Sequence, residues 1–217
     1  MTSADSRGVL PARAGGRGRN RRGGASPTET SMIAIATRLF AERGYNGTSV
    51  ADVANELGLT SASLYYHVQG KQDLLLRVLE TGMADFLERL EAVVAGDADE
   101  RGKLLQAVRN HLDFVLNNQD AVAVFLRERR FLEPERQQAH QVLVERYDTQ
   151  FTTLIGDAMQ AGAVPPGNPT LVRLAILGMI NWVVEWYRPG GGLDKATIMQ
   201  EMTSLIMDRM LAPPTGS

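Results

Sequence analysis

The stretch from Thr48 to Lys71, T-S-V-A-D-V-A-N-E-L-G-L-T-S-A-S-L-Y-Y-H-V-Q-G-K, constrains the fold more than any other part of this 217-residue chain. Ser49, with Asp52 three residues on, makes an S-x-x-D capping pattern that satisfies the free N–H groups at a helix start. Val50, Val53, Ala54 and Leu57 recur at helical spacing and predict a buried stripe. Gly58 suits the left-handed residue that ends such a helix. Thr60 then caps a second short helix, which turns Ser61, Ser63, Tyr65 and Tyr66 outward and buries Leu64, and a further helix is entered directly after it. Two helices joined by a tight glycine turn make a helix-turn-helix, whose second helix enters the DNA major groove. The small polar start of that helix, Thr60, Ser61, Ala62 and Ser63, allows close approach to base edges, and Ser49, Tyr65, Tyr66 and Lys71 suit phosphate contacts.

Three runs in fixed order extend this pattern: A-x-x-L-F-A-E-R-G-Y-x-G-T-S-V from Ala36 to Val50, V-A-x-x-L-G-L from Val53 to Leu59, and S-x-S-L-Y-Y-H-V-x-x-K-x-x-L-L from Ser61 to Leu75. Together they resemble the DNA-binding domain of TetR/AcrR-type transcriptional repressors over about a quarter of the chain. A helical hairpin that never meets DNA is the alternative, but helical periodicity alone does not place Gly44, Gly47, Gly58 and the Leu-Tyr-Tyr-His run at these offsets. The resemblance implies a double-stranded operator as partner and repression as its outcome. It also gives His67, in the family's Leu-Tyr-x-His, a packing or phosphate-contact role.

With 44% hydrophobic and 22% charged residues, the composition is that of a globular protein. The absence of cysteine excludes disulfides, thiol catalysis and zinc–thiolate sites. No apolar run approaches the roughly 18 residues of a membrane span, and the Arg-rich N-terminus has no apolar core of the kind a secretory signal carries. A cytoplasmic protein without membrane contact is expected. The net charge of −2 hides an asymmetry: residues 1–25 hold six arginines against Asp5, while the rest of the chain is acidic. Residues 1–25, rich in Gly, Arg, Ala and Ser, read as a disordered basic arm. It either binds phosphate or a minor groove beside the helix-turn-helix or is a solvated tail.

The pattern along the chain predicts an all-α fold. Residues 26–70 read as a three-helix DNA-binding domain and residues 71–217 as a larger helical domain for effector binding and dimerisation, with about nine helices in all. Ser26-Pro27-Thr28-Glu29 opens the first helix, which stops at Gly44. A fourth runs from Lys71 to about Ala95, and others cover roughly 101–117, 119–131, 134–161, 169–187 and 194–211. In the last two, Leu171, Leu174, Ala175, Leu177, Gly178 and Trp182, then Ile198, Met202, Leu205, Ile206 and Met210, present more apolar surface than a small domain needs. They predict either a four-helix homodimer interface or a closed domain core. A two-fold dimer places two recognition helices ~34–36 Å apart, one DNA turn, which matches a palindromic operator.

Asn181-Trp182-Val183-Val184-Glu185-Trp186-Tyr187-Arg188-Pro189-Gly190-Gly191 is similar to an N-W-x-x-x-W-Y-R-P-G-G segment of a subgroup of TetR-type regulators. That likeness implies an acyl-CoA thioester as effector and control of fatty-acid, steroid or aromatic-acid breakdown. In the pocket reading, Trp182 and Trp186 supply apolar walls, Asn181 bonds a ligand carbonyl and Arg188 pairs with a phosphate or carboxylate. In the packing reading, the two tryptophans fill the core and Arg188 caps a helix C-terminus. Phe114, Phe125, Leu126, Arg129, Arg130, Tyr147 and Phe151 are further pocket candidates on amphipathic helices, and Arg127-Glu128-Arg129-Arg130 suits CoA phosphates or a solvated face.

His67, His111 and His140 lack partners at metal-ligand spacing, and there is no G-x-S-x-G, P-loop or strand-borne dinucleotide fingerprint. Neither an enzyme, nor a metal site, nor a cofactor is expected. Glu128, Glu133 and Glu135 are the carboxylates an acid–base mechanism would draw on, but they are equally a helix surface. Two other functions fit parts of the pattern: a DNA-architectural protein without effector, and an acyl-binding protein with a vestigial helix-turn-helix. Retention of Thr60, Ser61, Ser63, Tyr65, Tyr66 and Lys71 speaks against the second.

Overall fold

A computed structural model describes residues 26–212, and within them the chain forms helices and no strand. Helix α1 spans Pro27–Arg43; Ser26 Oγ accepts from Glu29 N–H at 3.2 Å to open it, and Gly44, at φ 71°, ends it. Helix α2, Val50–Glu56, starts on a reciprocal cap: Ser49 Oγ accepts from Asp52 N–H, and the Asp52 carboxylate accepts from Ser49 N–H at 2.7 Å. Gly58, at φ 68°, lets Leu59 N–H reach Ala54 O at 2.9 Å while its own N–H bonds Asn55 O, a Schellman closure. Helix α3, Ser61–Tyr65, follows, with Thr60 Oγ1 accepting from Ser63 N–H at 3.2 Å. These are the two helices and the turn that Thr48–Lys71 predicts.

About three-quarters of the described chain lies beyond this unit. Helix α4 covers Lys71–Val94, α5 Glu100–Asn117 and α6 Gln119–Glu128. The expected helix over 119–131 tightens after Glu128 into a 3₁₀ turn, Arg129–Phe131. Helix α7 is Pro134–Gln160 and α8 is Pro169–Asn181. The helix expected to continue to Tyr187 breaks at Trp182, leaving α9 as Val183–Trp186. Helix α10, Lys195–Ser204, widens into a π-helical turn, Leu205–Met210. Counting α8 and α9 as the one interrupted run they form, the nine expected helices are present.

Two apolar cores organise these helices. One gathers Met32, Leu39, Phe40, Val53 and Leu64 of α1–α3 with Leu74, Leu75, Val78 and Leu79 from the first half of α4. The other gathers Met83, Leu87 and Leu90 from the second half of α4 with α5 and α7–α10. Helix α4 is therefore a rod shared by both cores. The first core also takes Val124 of α6 and Leu132, so the larger helical body is wedged into the smaller one at a second place. The basic arm expected over residues 1–25 lies outside the described residues.

Candidate functional site

On the outer face of α3 and its flanks, Thr60, Ala62, Ser63, Tyr65 and Tyr66 are exposed, Tyr66 at 89%. Ser61 and His67 are half-buried beside them, and Leu64 is fully buried beneath. Ala62, Ser63, Tyr66 and His67 share a shallow open groove with Leu59 and with Thr28 from the start of α1. Ser49 is exposed at the start of α2. The basic residues of this head are engaged internally. Arg38 pairs with Glu42 and Glu56, Arg43 lies 3.9 Å from Glu56, and Lys71 Nζ sits 4.1 Å above the Tyr45 ring. Partial burial holds the Lys71 ammonium below its usual pKa, with Asp52 opposing.

A second feature lies inside the larger core: a cavity of about 280 Å³ walled by α4, α5, α6, α7 and α8, near the small end of ligand pockets. Its walls are mostly apolar, including Met83, Phe86, Phe114, Phe125 and Leu177. A buried polar chain crosses it. His111 Nδ1 is 2.8 Å from the Tyr147 hydroxyl and His111 Nε2 is 3.0 Å from Asn181 Oδ1. Burial depresses His111 to about 4, the Asn181 bond opposing, so the ring is neutral near pH 7. The Asn181 oxygen can only accept, so Nε2 carries the proton, and Nδ1 accepts from Tyr147 O–H. Burial raises Tyr147, which keeps its hydroxyl proton. Asn181 Oδ1 is thus occupied, while its amide N–H₂ remains a donor on the cavity wall. Another stretch of the wall is charged. Arg173 pairs with Asp148 at 2.5 Å, its Nε is buried without a hydrogen-bond partner, and Arg129 lies beside it on the cavity lining, 4.9 Å from the Phe125 ring.

Between these two features runs a set of ties. Glu128, at the end of α6, is buried, and its Oε2 accepts from Tyr45 N–H in the α1–α2 loop at 2.8 Å. The Tyr45 ring stacks on Phe131 at 5.3 Å between centroids. Gln72 donates to Phe131 O at 2.7 Å and accepts from Glu133 N–H at 3.1 Å. The segment 128–133 thus clasps the reading head at the point where α6 leaves the cavity.

Comparison with known proteins finds a family match over each of the two parts of the chain. Residues 32–78 match the model for bacterial regulatory proteins of the tetR family, and residues 97–210 match the tetracyclin repressor-like C-terminal domain. The chain belongs to the TetR family. It is 30% identical to the HTH-type transcriptional repressor KstR2 of Rhodococcus jostii, over 88% of this chain and 94% of that one. A fatty acid metabolism regulator protein of Bacillus subtilis is 22% identical, over 83% and 94% of the two chains. Among solved structures, AibR in complex with isovaleryl coenzyme A and operator DNA is 29% identical with a TM-score of 0.76, over 86% of this chain and 98% of that one.

Against this TetR-family frame, the expected ligand residues divide. Phe114, Phe125, Arg129, Tyr147 and Asn181 come together on the cavity, as does Leu126. Phe151 is buried behind Tyr147, with 5.9 Å between their ring centroids. Trp182 and Trp186 do not line this cavity: Trp182 is 65% exposed and Trp186 41% exposed, continuing the exposed stripe of Leu171, Leu174 and Gly178 along α8. Arg188 bonds the Val184, Glu185 and Tyr187 carbonyls, the capping role open to it in the sequence. In the arginine run, Arg127 pairs with Glu185 at 2.7 Å and Arg130 lies over Phe131, leaving Arg129 alone of the three on the cavity. Sequence reasoning missed His111, Phe86, Asp148 and Arg173 as cavity residues and Glu128 as a clasp. A polar residue on an apolar helical face is the only signal His111 gives, and it does not name its partners. Among the described residues, Ile198 and Ile206 of the expected dimer face are buried in the core, while Leu171, Leu174, Trp182, Leu205 and Met210 are exposed. No group of metal ligands is found among the described residues, and no helix there is long and apolar enough to cross a membrane.

Proposed function

We propose that the protein is a ligand-responsive repressor that binds a palindromic operator as a homodimer and is released by a small hydrophobic or acyl-CoA effector. The observation that carries this reading is the double duty of α6. Its Ala121, Val122 and Phe125 line the cavity, and its last residue, Glu128, holds the backbone of the reading head. An occupant that shifts α6 or the shared rod α4 changes how the head is held. An effector acts only through its differential affinity for the two arrangements, and a coupling of ~1–3 kcal/mol is typical.

Residues 26–70 are taken as the reading domain and residues 71–217 as the effector-binding and dimerisation domain, acting in the cytoplasm as a regulator and not as a catalyst. The exposed apolar residues of α8 and of the turn after α10 suit a self-complementary two-fold interface. Support for a thioester comes from the AibR complex with isovaleryl coenzyme A and from one relative named as a fatty acid metabolism regulator protein. Lipid or related catabolism is the corresponding setting. On the cavity lining, the Asn181 amide suits an acyl carbonyl and Arg129 suits an anionic group, with Arg173 paired to Asp148 beside it. The six arginines of residues 1–25 suit phosphate contact, because the head's own cations are engaged internally.

The test is selection of binding sites from randomised DNA. A palindrome with half-sites one helical turn apart is expected. Enrichment of a single half-site, or of no sequence, would remove the dimeric-repressor reading and leave an architectural DNA binder or a vestigial head.

A further inference from the structure

Beside the cavity lies a larger recess of about 690 Å³, open to solvent, between α1 and the corner where α5 meets α6. Four residues line both spaces: Val78, Gly82, Phe114 and Ala121. On α4 the division follows helical geometry. Leu79, Met83 and Phe86 line the cavity, Thr81 and Asp85 line the recess, and Val78 and Gly82 form the edge between them.

Gly82 sits in the middle of a 24-residue helix, where glycine is the poorest helix former after proline. Its φ is not in the left-handed region, so the backbone does not require glycine there. A Cβ at this position would meet nothing within 4 Å, so close packing does not require it either. What the missing side chain leaves is open space on the boundary between cavity and recess.

We propose that Gly82 is the aperture between cavity and recess, and that the effector is an elongated molecule whose apolar chain passes it. This rests on the reading of the cavity as the effector site. Charge fixes the direction. The recess carries Asp85 and Asp120 against Lys195, whose Nζ is held 2.6 Å from Asn117 Oδ1, so an anionic group is disfavoured there. Burial and nearby Glu42 push the Asp120 carboxyl up, as expected where negative charge is already crowded. The cavity lining carries Arg129 and Arg173 against one carboxylate, Asp148, which pairs with Arg173, so the anionic end of the ligand stays with Arg129 and the uncharged end of the chain enters the recess. Ile33 and Thr37 of α1 form part of the recess wall. Chain length thus decides whether the occupant fills the cavity alone or also touches the first helix of the reading head.

Binding of straight-chain acyl-CoA thioesters from butyryl to palmitoyl, and of the matching free fatty acids, is measured by calorimetry on the full-length protein and on Gly82→Ala, Gly82→Leu and Ala121→Met, with melting temperatures alongside. Gly82→Ala is expected to melt higher than wild type, since alanine is the better helix former. Gly82→Leu is expected to lose about tenfold or more in affinity for the long members while keeping the short ones. Ala121→Met narrows the same edge from α6 and gives the same pattern if Gly82→Leu folds poorly. Folded variants that bind long and short chains as wild type does overturn the aperture. If fatty acids bind and thioesters do not, the thioester reading fails and the aperture is judged on the acids. If neither series binds wild type, cavity site and aperture fall together.

Discussion

At the scale of the residue, the carboxylate of Glu128 joins the two bodies. In the sequence it stands in a charged run and reads as surface. In the fold it is buried and accepts from Tyr45 N–H at 2.8 Å. Removing the carboxylate leaves the part-buried Tyr45 N–H without this partner, at a cost of about 1 kcal/mol. Glu128→Ala should therefore lower the melting temperature and weaken operator binding while leaving effector affinity within a few fold; operator affinity equal to wild type would remove the clasp. His111 makes a second prediction. Burial holds its folded-state value near 4, below the ordinary 6.5. The unfolded chain therefore binds more protons in between, and the stability the neutral ring contributes is fully present above about pH 6.5 and is lost as pH falls towards 4. His140 is lowered by burial as well and acts in the same direction. Replacing His111 by Gln should flatten the fall of melting temperature across that window relative to wild type; an unchanged slope would show that His111 does not titrate there.

At the scale of the element, what the sequence made legible was local. Ser49, Asp52, Gly58 and Thr60 act within a few residues of themselves, so α2, the turn and α3 follow from spacing alone. The break at Trp182 and the 3₁₀ turn after Glu128 were not legible, since no glycine or proline marks either place. The cavity was legible only in part. Phe114, Tyr147 and Asn181 suggested themselves as apolar or amide groups, but the His111 chain joins positions 36 and 70 residues apart, and no periodicity reports that. The tryptophans misled because a bulky aromatic suits a pocket wall and an interface equally. On α3, Ser61 and Ser63 are expected to read bases and Tyr65 and Tyr66 to hold phosphates. Ser63→Ala should change the order of preferred operator sequences. Tyr66→Phe should weaken all sequences alike. Competition binding across a mutated operator series checks this, and identical profiles for the two variants would contradict the assignment.

At the scale of the whole molecule, α4 and α6 each belong to the reading head and to the cavity, so the two ends share rigid elements and not a linker. The central claim is that operator and effector oppose one another through those elements. Linkage makes this reciprocal: whatever factor the effector takes from operator affinity, the operator must take from effector affinity. The measurement is calorimetric titration of an acyl-CoA into the full-length protein with and without saturating operator, paired with operator titration with and without saturating acyl-CoA. The account predicts the same reduction in both directions, about 5–150-fold. Equal effector affinity with and without operator would mean that cavity and reading head are uncoupled, and would contradict it.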